Sequence, residues 1–257
     1  NATLLVDTYN TLKSGVPNAI RVFKEMLVPK GITNFAIRLD SGDISYLSKK
    51  ARKMLDDAGL PNCKITASNA LDEHLIRDLV MQGAQIDTFG VGERLITSRS
   101  EPVFGGVYKL AAVENDAGEI IPKIKVSENT TKITNPGFKR VYRYYDKDSG
   151  KALADEICLR DETIDFEQPH DIFDPNATWK VKTLDNYVVR DLLEPIFKNG
   201  ELVYQLPELK EIQAYCKAQQ DTLWDEVKRF ENPHKYYVDL SWKLWTLKRD
   251  LLAAAKK

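Results

Sequence analysis

Four short apolar runs alternate with helical patterns over the first hundred residues, and this alternation restricts the fold more than any other feature. The apolar runs span residues 4–6, 35–37, 64–67 and 86–89. Between them, apolar residues recur at helical spacing, as in Ile44, Leu47, Ala51 and Leu55. Strands that alternate with helices in this way form parallel sheets with right-handed crossovers, so the sequence predicts an α/β fold.

Polar or glycine-rich clusters directly follow all four apolar runs. In parallel α/β folds the carboxyl ends of the strands meet at one edge, and active sites lie there. We therefore expect the clusters to meet at one site. The candidate residues are Asp7 and Tyr9, then Arg38, Asp40 and Asp43, then Ser68 and Asn69, and finally Gly90, Gly92, Glu93 and Arg94.

The cluster after the second apolar run indicates chemistry on anions. An arginine at a strand end can hold a planar carboxylate through two parallel hydrogen bonds, which a lysine cannot do. Arg38 has that position, and Asp40 and Asp43 supply oxygen atoms suited to sugar hydroxyls or to Mg²⁺ that carries phosphates. The alternative is local: Ser41 or Asp43 only caps the next helix, and Arg38 pairs with Asp40.

The turn from Gly90 to Arg94 is typical of a phosphate site. Glycines allow backbone N–H groups to approach an anion closely, and the start of a short helix adds a favourable dipole. Phosphate sites after a late strand and before a short helix are common in (β/α) barrels. The alternative is that the glycines only permit a tight turn.

The number of strand–helix units leaves two architectures open. Four units are too few to close a barrel, which usually takes eight strands. The first hundred residues are therefore either part of a barrel or a small doubly wound sheet.

The pattern changes after Pro102. Three β-rich runs, separated by turn clusters, predict antiparallel hairpins over residues 103–113, 120–126 and 138–145. An irregular connection is expected over residues 163–178. Helices are expected from Pro207 onward, the last of them marked by leucines from Leu240 to Leu251. These patterns divide the chain into residues 1–102, 103–165 and 166–257.

Composition narrows the class of protein further. The chain has 37 basic and 38 acidic residues and a net charge of -1, which gives no indication of a nucleic-acid-binding face. No apolar run reaches the roughly 18 residues of a membrane-spanning helix, and we predict no signal peptide. The few cysteines and histidines are scattered, so we expect no disulfide framework, no zinc site, structural histidines and a cytoplasmic location. These residues are Cys63, Cys158, Cys216, His74, His170 and His234.

Seven stretches, taken in order, resemble the nicotinate phosphoribosyltransferase family. They are LVDTYNT (5–11), IRLDSGD (37–43), TASNALDE (66–73), FGVGERLITS (89–98), FGGVYKLAAVE (104–114), KITNPGFKRVYR (132–143) and NPHKYYVDLSWKLWTLK (232–248). The resemblance implies the second half of a type II phosphoribosyltransferase (β/α) barrel, followed by an antiparallel β segment and a helical C-terminal region. It also implies the carboxy-terminal half of a longer enzyme.

The resemblance implies a specific reaction. Members of this family join nicotinate to phosphoribosyl pyrophosphate, release pyrophosphate, and couple this to ATP hydrolysis through a transiently phosphorylated histidine. The implied partners are these small molecules, with Mg²⁺ bound to pyrophosphate or ATP, and a second copy of the complete polypeptide in a homodimer. The alternatives are a nicotinamide phosphoribosyltransferase, whose substrate lacks a carboxylate, and a non-catalytic half-barrel module.

The resemblance also assigns roles to the candidate residues. Arg38 holds the nicotinate carboxylate, with Asp7, Tyr9, Ser68 and Asn69 as further substrate contacts. Asp40 and Asp43 are the catalytic carboxylates, and they face the ribose or the Mg²⁺-pyrophosphate. The phosphate of the phosphoribosyl group contacts Gly90, Gly92, Glu93 and Arg94, and no metal ion is held by protein ligands alone.

Two departures from the family pattern change these expectations. Some members have a small hydroxyl residue in place of Glu93, and a carboxylate cannot donate to a phosphate, so the turn depends on backbone N–H groups and Arg94. The phosphorylated histidine of the family precedes the LVDTY motif, and none of the three histidines here has that position. We therefore expect this chain to be inactive alone.

Overall fold

The computed structural model describes residues 2–103 and 105–255. The chain divides into two compact units, Asn1–Gly106 and Val107–Lys257. Phe104, the first residue of the FGGVYKLAAVE stretch, lies outside the described residues. The boundaries expected after residues 102 and 165 stay predictions.

Four parallel strands form the sheet of the first unit. They are β1 (Ala2–Leu5), β2 (Phe35–Leu39), β3 (Lys64–Ala67) and β4 (Thr88–Phe89), hydrogen-bonded in that order. Every neighbouring pair is parallel, which confirms the α/β class. Within the described residues the sheet is open, because four strands are too few to close, and the barrel geometry stays a prediction.

The connection from β1 to β2 is helical over most of its length. Its pieces are π-helical Thr11–Gly15, α1 (Val16–Val22), π-helical Phe23–Leu27 and 3₁₀-helical Val28–Lys30. Pro17 is a residue typical of the first turn of a helix, yet the helical region already begins at Thr11. The Asn10 side chain accepts a hydrogen bond from the backbone N–H of Lys13 and so begins the helix earlier.

Three further helices follow the other strands: α2 (Ile44–Asp57), α3 (Glu73–Met81) and α4 (Glu93–Ile96). The predicted apolar face of α2 is confirmed, since Ala51 and Leu55 are fully buried and belong to one core cluster with Ile37 and Ile65 of the sheet. Burial of a leucine or isoleucine side chain stabilises the fold by roughly 1.5–3 kcal/mol. This core holds the strand ends in fixed positions.

The second unit contains ten short strands, two α-helices and one short 3₁₀ helix (Thr130–Lys132) among its described residues. The strands and α-helices are β5 (Ala112–Glu114), β6 (Ile120–Pro122), β7 (Lys139–Asp146), β8 (Ala152–Leu159), β9 (His170–Asp174), β10 (Ala177–Leu184), β11 (Tyr187–Asp191), β12 (Phe197–Lys198), β13 (Glu201–Leu202), β14 (Val238–Leu240), α5 (Leu209–Asp221) and α6 (Trp242–Ala254). The largest sheet has the order β11-β7-β8-β14, and only the pair β8–β14 in it is parallel. This sheet joins strands from both sides of residue 165.

Several expectations for this unit need correction. The hairpins β5–β6 and β7–β8 confirm the antiparallel prediction, although the described residues of 103–111 form no strand. The irregular connection expected over residues 163–178 is confirmed only up to residue 169, because β9 then pairs with β10 and buries Ile172 and Phe173. The helices predicted from Pro207 onward are confirmed by α5 and α6, although β14 lies between them, and five strands of residues 166–257 precede Pro207. Leu240 lies in β14, and Ser241 caps α6.

Several buried polar side chains of this unit are paired with one another. The carboxylate of Glu156 accepts a hydrogen bond from the Tyr144 hydroxyl at 2.7 Å and lies 2.8 Å from Nε2 of His170. Arg143 donates two hydrogen bonds to Asp155, at 2.7 and 2.8 Å. His170 is therefore a structural histidine, as expected. None of the helices in the described residues combines the length and the hydrophobicity needed to span a membrane.

Candidate functional site

The register of the parallel sheet brings the predicted clusters to one edge. One row across the sheet contains Leu5, Arg38, Thr66 and Thr88. The residues two positions beyond that row are Asp7, Asp40, Ser68 and Gly90. Because all four strands run in the same direction, these positions lie at the carboxyl edge of the sheet, where the sequence pattern predicted a site.

Three side chains from two neighbouring strand ends form a hydrogen-bonded group. Nε of Arg38 donates to the Ser68 hydroxyl at 2.8 Å, and Nη2 of Arg38 donates to Asp40 at 3.3 Å. The Ser68 hydroxyl in turn donates to the same Asp40 oxygen at 2.5 Å. Arg38 therefore pairs with Asp40, as the local alternative predicted. The Arg38 side chain nevertheless remains 47% exposed. Among the described residues, Nη1 of Arg38 has no partner.

The surroundings of Asp40 favour its ionised form. The hydrogen bond from Ser68 lowers the pKa of the Asp40 carboxyl below its usual value, and the nearby Arg38 charge lowers that pKa further. Asp40 therefore presents a negative charge beside the positive charge of Arg38. Such a pair can contact a ligand that carries a carboxylate at one end and developing positive charge at the other.

Asp7 links the ends of β1 and β2 through hydrogen bonds. Its carboxylate accepts hydrogen bonds from the backbone N–H of Asp40 at 2.6 Å and from the Ser41 hydroxyl at 2.8 Å. This residue therefore positions the loop that follows β2. Tyr9 is 95% exposed and is not brought to the group.

Asp43 acts as a helix cap. Its side chain accepts a hydrogen bond from the backbone N–H of Tyr46 at 2.9 Å, at the start of α2. Asp43 thus forms the predicted cap. One carboxylate oxygen is occupied by the cap, and the other has no partner among the described residues.

The backbone after β3 has an unusual conformation. Asn69 and Ala70 have positive φ angles of 83° and 44°. Residues other than glycine rarely adopt such angles, and two in succession mark a turn that the surrounding structure holds in place. The turn leaves the Asn69 side chain exposed beside buried Ser68.

The glycine turn after β4 offers fewer donors than expected. The N–H of Gly90 donates to the carbonyl of Ala67 at 2.8 Å, so this group continues the sheet and is not available to an anion. Gly92 caps α4, and within the described residues its own N–H and that of Glu93 reach no backbone carbonyl. A Cβ atom added to Gly92 would meet nothing within 4 Å, so the space next to it is open.

Arg94 is held by a residue that the sequence pattern did not single out. Its Nη1 contacts the carboxylate of Asp72, which also caps α3 through the N–H of Leu75 at 2.8 Å. Nε of Arg94 is buried without a hydrogen-bond partner among the described residues. The exposed side chain of Glu93 lies outside this pairing.

The described residues contain no group of three or more His, Cys, Asp or Glu side chains that could hold a metal ion. Asp40 and the second oxygen of Asp43 can each offer an oxygen atom to a cation. Mg²⁺ in proteins is commonly held by one or two carboxylates together with phosphate oxygens of the substrate. The residues present fit that arrangement.

Comparisons with known proteins cover almost the whole chain. The family model described as the nicotinate phosphoribosyltransferase C-terminal domain matches residues 138–248. The nicotinate phosphoribosyltransferase of Bacillus subtilis (strain 168) is 46% identical over 256 residues, which are 100% of this chain and 52% of that protein. The nicotinate phosphoribosyltransferase of Dictyostelium discoideum is 35% identical over 259 residues, covering 94% of this chain and 42% of that protein.

A solved structure has the same fold. The crystal structure of human nicotinic acid phosphoribosyltransferase matches 97% of this chain and 46% of its own chain, with a TM-score of 0.71 and 27% identity. The chain spans about half the length of the curated relatives it matches, at 52% and 42% of the two named above.

Proposed function

We propose that this chain belongs to the nicotinate phosphoribosyltransferase family and that its first unit binds nicotinate and the phosphoribosyl group in such an enzyme. The reaction joins nicotinate to phosphoribosyl pyrophosphate, gives nicotinate mononucleotide and pyrophosphate, and serves NAD biosynthesis. ATP coupling, a cytoplasmic location and a homodimer of the complete polypeptide are parts of the same proposal.

The hydrogen-bonded group of Arg38, Ser68 and Asp40 carries this proposal. One edge of the Arg38 guanidinium is held by Ser68 and Asp40, and Nη1 remains available at the exposed edge. A guanidinium held in this way is oriented before a ligand arrives, and its open edge matches a planar carboxylate. A carboxylate is the group that nicotinate has and nicotinamide lacks, which favours nicotinate as the substrate.

The ionised Asp40 supports the chemistry of glycosyl transfer. Departure of pyrophosphate leaves positive charge on the sugar carbon, and a fixed carboxylate nearby stabilises that charge. Mg²⁺, when bound, neutralises the leaving pyrophosphate. In this proposal Asp40 and the free oxygen of Asp43 lie on the ribose and metal side, while Asp7 positions their loop.

The turn at Gly92 supports a phosphate contact with fewer hydrogen-bond donors than the family pattern implies. The available donors are the backbone N–H groups of Gly92 and Glu93. Nε of Arg94 is buried without a partner among the described residues, so this atom is not open to a ligand in this structure. Gly90 is excluded as a donor because its N–H is already bonded. We assign the phosphate of the phosphoribosyl group to these donors, with Arg94 held in place by Asp72.

The experiment that tests this proposal measures the effect of Arg38→Lys in a fusion protein, called here the complemented enzyme. This chain is fused behind the part of the Bacillus subtilis relative that it does not match, and mononucleotide formation is measured. Loss of the two parallel hydrogen bonds from the guanidinium should weaken nicotinate binding by on the order of 2–4 kcal/mol. This corresponds to a rise of about 30- to 700-fold in the Michaelis constant for nicotinate. The constant for phosphoribosyl pyrophosphate should change little. An unchanged constant for nicotinate would remove the basis of the assignment.

A further inference from the structure

A cavity in the second unit is lined by hydrogen-bond donors and by no carboxylate among the described residues. It has a volume of about 430 Å³ and lies next to β14 and α6. Its charged and amide side chains come from Lys248, Arg249, Asn135 and Asn176. An excess of donors over acceptors favours an anionic ligand.

Lys248 is a half-buried ammonium group without a carboxylate partner. Its Nζ donates one hydrogen bond, to the side-chain oxygen of Asn135 at 2.8 Å. An ammonium group has three N–H donors, so two have no acceptor among the described residues. Burial alone lowers the pKa of Lys248, and no carboxylate opposes that shift. A buried charge without a partner is costly, and a bound anion would remove that cost.

The ammonium group of Lys139 also donates a hydrogen bond to Asn135. Nζ of Lys139 donates to the backbone carbonyls of Asn135 at 2.9 Å and Gly137 at 2.5 Å. Lys139 also lacks a carboxylate partner among the described residues, and burial lowers its pKa. Lys243, elsewhere on α6, differs because it lies 3.0 Å from Asp161. The positive charge around Asn135 is therefore a local property and not a general feature of the helix.

Asp239 lies between the lining residues Val238 and Leu240 of β14, but successive side chains of a strand point to opposite faces, so Asp239 faces away from the cavity. The other acidic residues near the lining in sequence, Asp174 and Asp250, are engaged elsewhere or are exposed. The carboxylate of Asp174 accepts a hydrogen bond from the backbone N–H of Asn176 at 2.9 Å. Asp250 lies 3.5 Å from Arg249, and both side chains are mostly exposed. An exposed ion pair at that distance contributes little free energy. The Arg249 guanidinium is therefore available to a ligand.

The remaining wall of the cavity is apolar and includes one well-fixed aromatic ring. Nε1 of Trp245 donates to the carbonyl of Pro175 at 3.0 Å, and the ring packs edge-to-face against Phe173 at 6.2 Å. Leu240 and Leu252 also line the wall. The cavity volume falls in the range of pockets that bind small organic molecules, so an inorganic ion would not fill it.

We propose that this cavity binds a small organic phosphate, with its phosphate group on Lys248 and Arg249 and its apolar part against Trp245. The site lies in the second unit and uses none of the residues assigned to the proposed reaction. It is therefore a second ligand site, and either assignment can fail without the other.

The test follows Trp245 directly by ¹⁹F NMR on the complete chain labelled with 5-fluorotryptophan. The chain has 4 tryptophans, at positions 179, 224, 242 and 245, all in the second unit, so phosphate at the first unit has no tryptophan reporter. Trp245→Phe assigns the resonance. Inorganic phosphate and phenyl phosphate are added at constant ionic strength, maintained with chloride. We expect a saturable shift of the Trp245 signal, at lower concentrations of phenyl phosphate than of inorganic phosphate.

Two variants and one control decide the outcome. Lys248→Met should weaken phenyl phosphate binding about 30-fold or more, because a partly buried charge pair is lost. Arg249→Met changes an exposed side chain, so it should fold normally and weaken binding about fivefold. Lys243→Met should bind like the unmodified chain. The proposal is overturned if the unmodified chain shows no saturable shift, if Arg249→Met binds unchanged, or if both phosphates bind equally well.

Discussion

The Ser68 hydroxyl is the residue-scale centre of the candidate active site. It accepts a hydrogen bond from Arg38 and donates one to Asp40, so one small side chain both orients the guanidinium and keeps the carboxylate ionised. The sequence pattern named Ser68 because it follows a strand. The pattern could not show that Ser68 joins two other candidates, because that contact depends on the register between β2 and β3.

Removal of the Ser68 hydroxyl should shift the pH profile of the complemented enzyme. In Ser68→Ala the pKa of Asp40 rises toward its usual value, because the largest cause of its lowering is gone. The acid limb of kcat/KM should therefore move to higher pH. Ser41→Ala is the matched control, since it removes a hydroxyl that contacts Asp7 and not Asp40. An acid limb that moves equally in both variants would show that Ser68 does not control Asp40.

Two other side-chain contacts, those of Asp72 and Asp7, could not be predicted from the sequence pattern. Asp72, which the sequence pattern did not single out, holds Arg94 across 22 positions of the chain. Asp7 was expected to contact substrate, yet it bonds to Asp40 and Ser41, more than 30 positions away. Such pairs leave no periodic signal, because they depend on which strand ends become neighbours.

At the scale of elements, the strands of the first unit were predictable because they are short apolar runs, and α2 and α3 were predictable because their apolar residues recur at helical spacing. Strands β9 to β13 were not, because their sequences mix charged and apolar residues. In β10 only the two end residues are buried, so its sequence resembles an exposed connection. The pairing of β10 with β9, and not its own composition, makes it a strand.

The glycine turn before α4 gives an element-scale prediction. Gly92→Val should abolish phosphoribosyl pyrophosphate binding in the complemented enzyme and leave the melting temperature nearly unchanged, because the space beside Gly92 is open. Gly15→Ala provides the contrast: a Cβ atom there would lie 1.7 Å from the carbonyl oxygen of Val6, so that variant should lose stability. Normal phosphoribosyl pyrophosphate binding by Gly92→Val would mean that the turn has only a structural role.

Strand β14 gives a prediction on stability and pH. Burial, with the charge of Asp174 adding to it, raises the pKa of Asp239 to about 6. Because the folded pKa is raised, the ionised form is disfavoured in the fold. The penalty is full at pH 8, decreases as the pH falls through 6, and is gone below about 4. Asp239→Asn should therefore increase the free energy of unfolding at pH 8 by on the order of 1–3 kcal/mol.

Urea denaturation of the complete chain, followed by tryptophan fluorescence, measures this effect. The 4 tryptophans all lie in the second unit with Asp239, so the signal reports the relevant unit. The difference between Asp239→Asn and the unmodified chain should be large at pH 8 and smaller at pH 5. A difference that does not depend on pH would contradict the raised pKa.

At the scale of the whole molecule, the proposed function gives this chain one side of a catalytic site. The site residues come from four parallel strands of an open sheet, and the chain spans about half of each curated relative named above, at 52% and 42%. None of the histidines follows one of these strand ends: His74 lies in α3, His170 is bonded to Glu156, and His234 lies in the second unit. The proposed ATP coupling therefore needs a histidine that this chain does not supply.

Mononucleotide formation from labelled nicotinate tests the central claim most directly. The purified chain is incubated with nicotinate, ATP, Mg²⁺ and phosphoribosyl pyrophosphate, first alone and then fused behind the unmatched part of the Bacillus subtilis relative. We predict no turnover above background for the chain alone and clear turnover for the fusion. Turnover by the chain alone would contradict the account, because one of its own histidines would then be catalytic or the histidine step would be dispensable. A folded fusion that forms no mononucleotide would contradict the assignment of the first unit to nicotinate and the phosphoribosyl group.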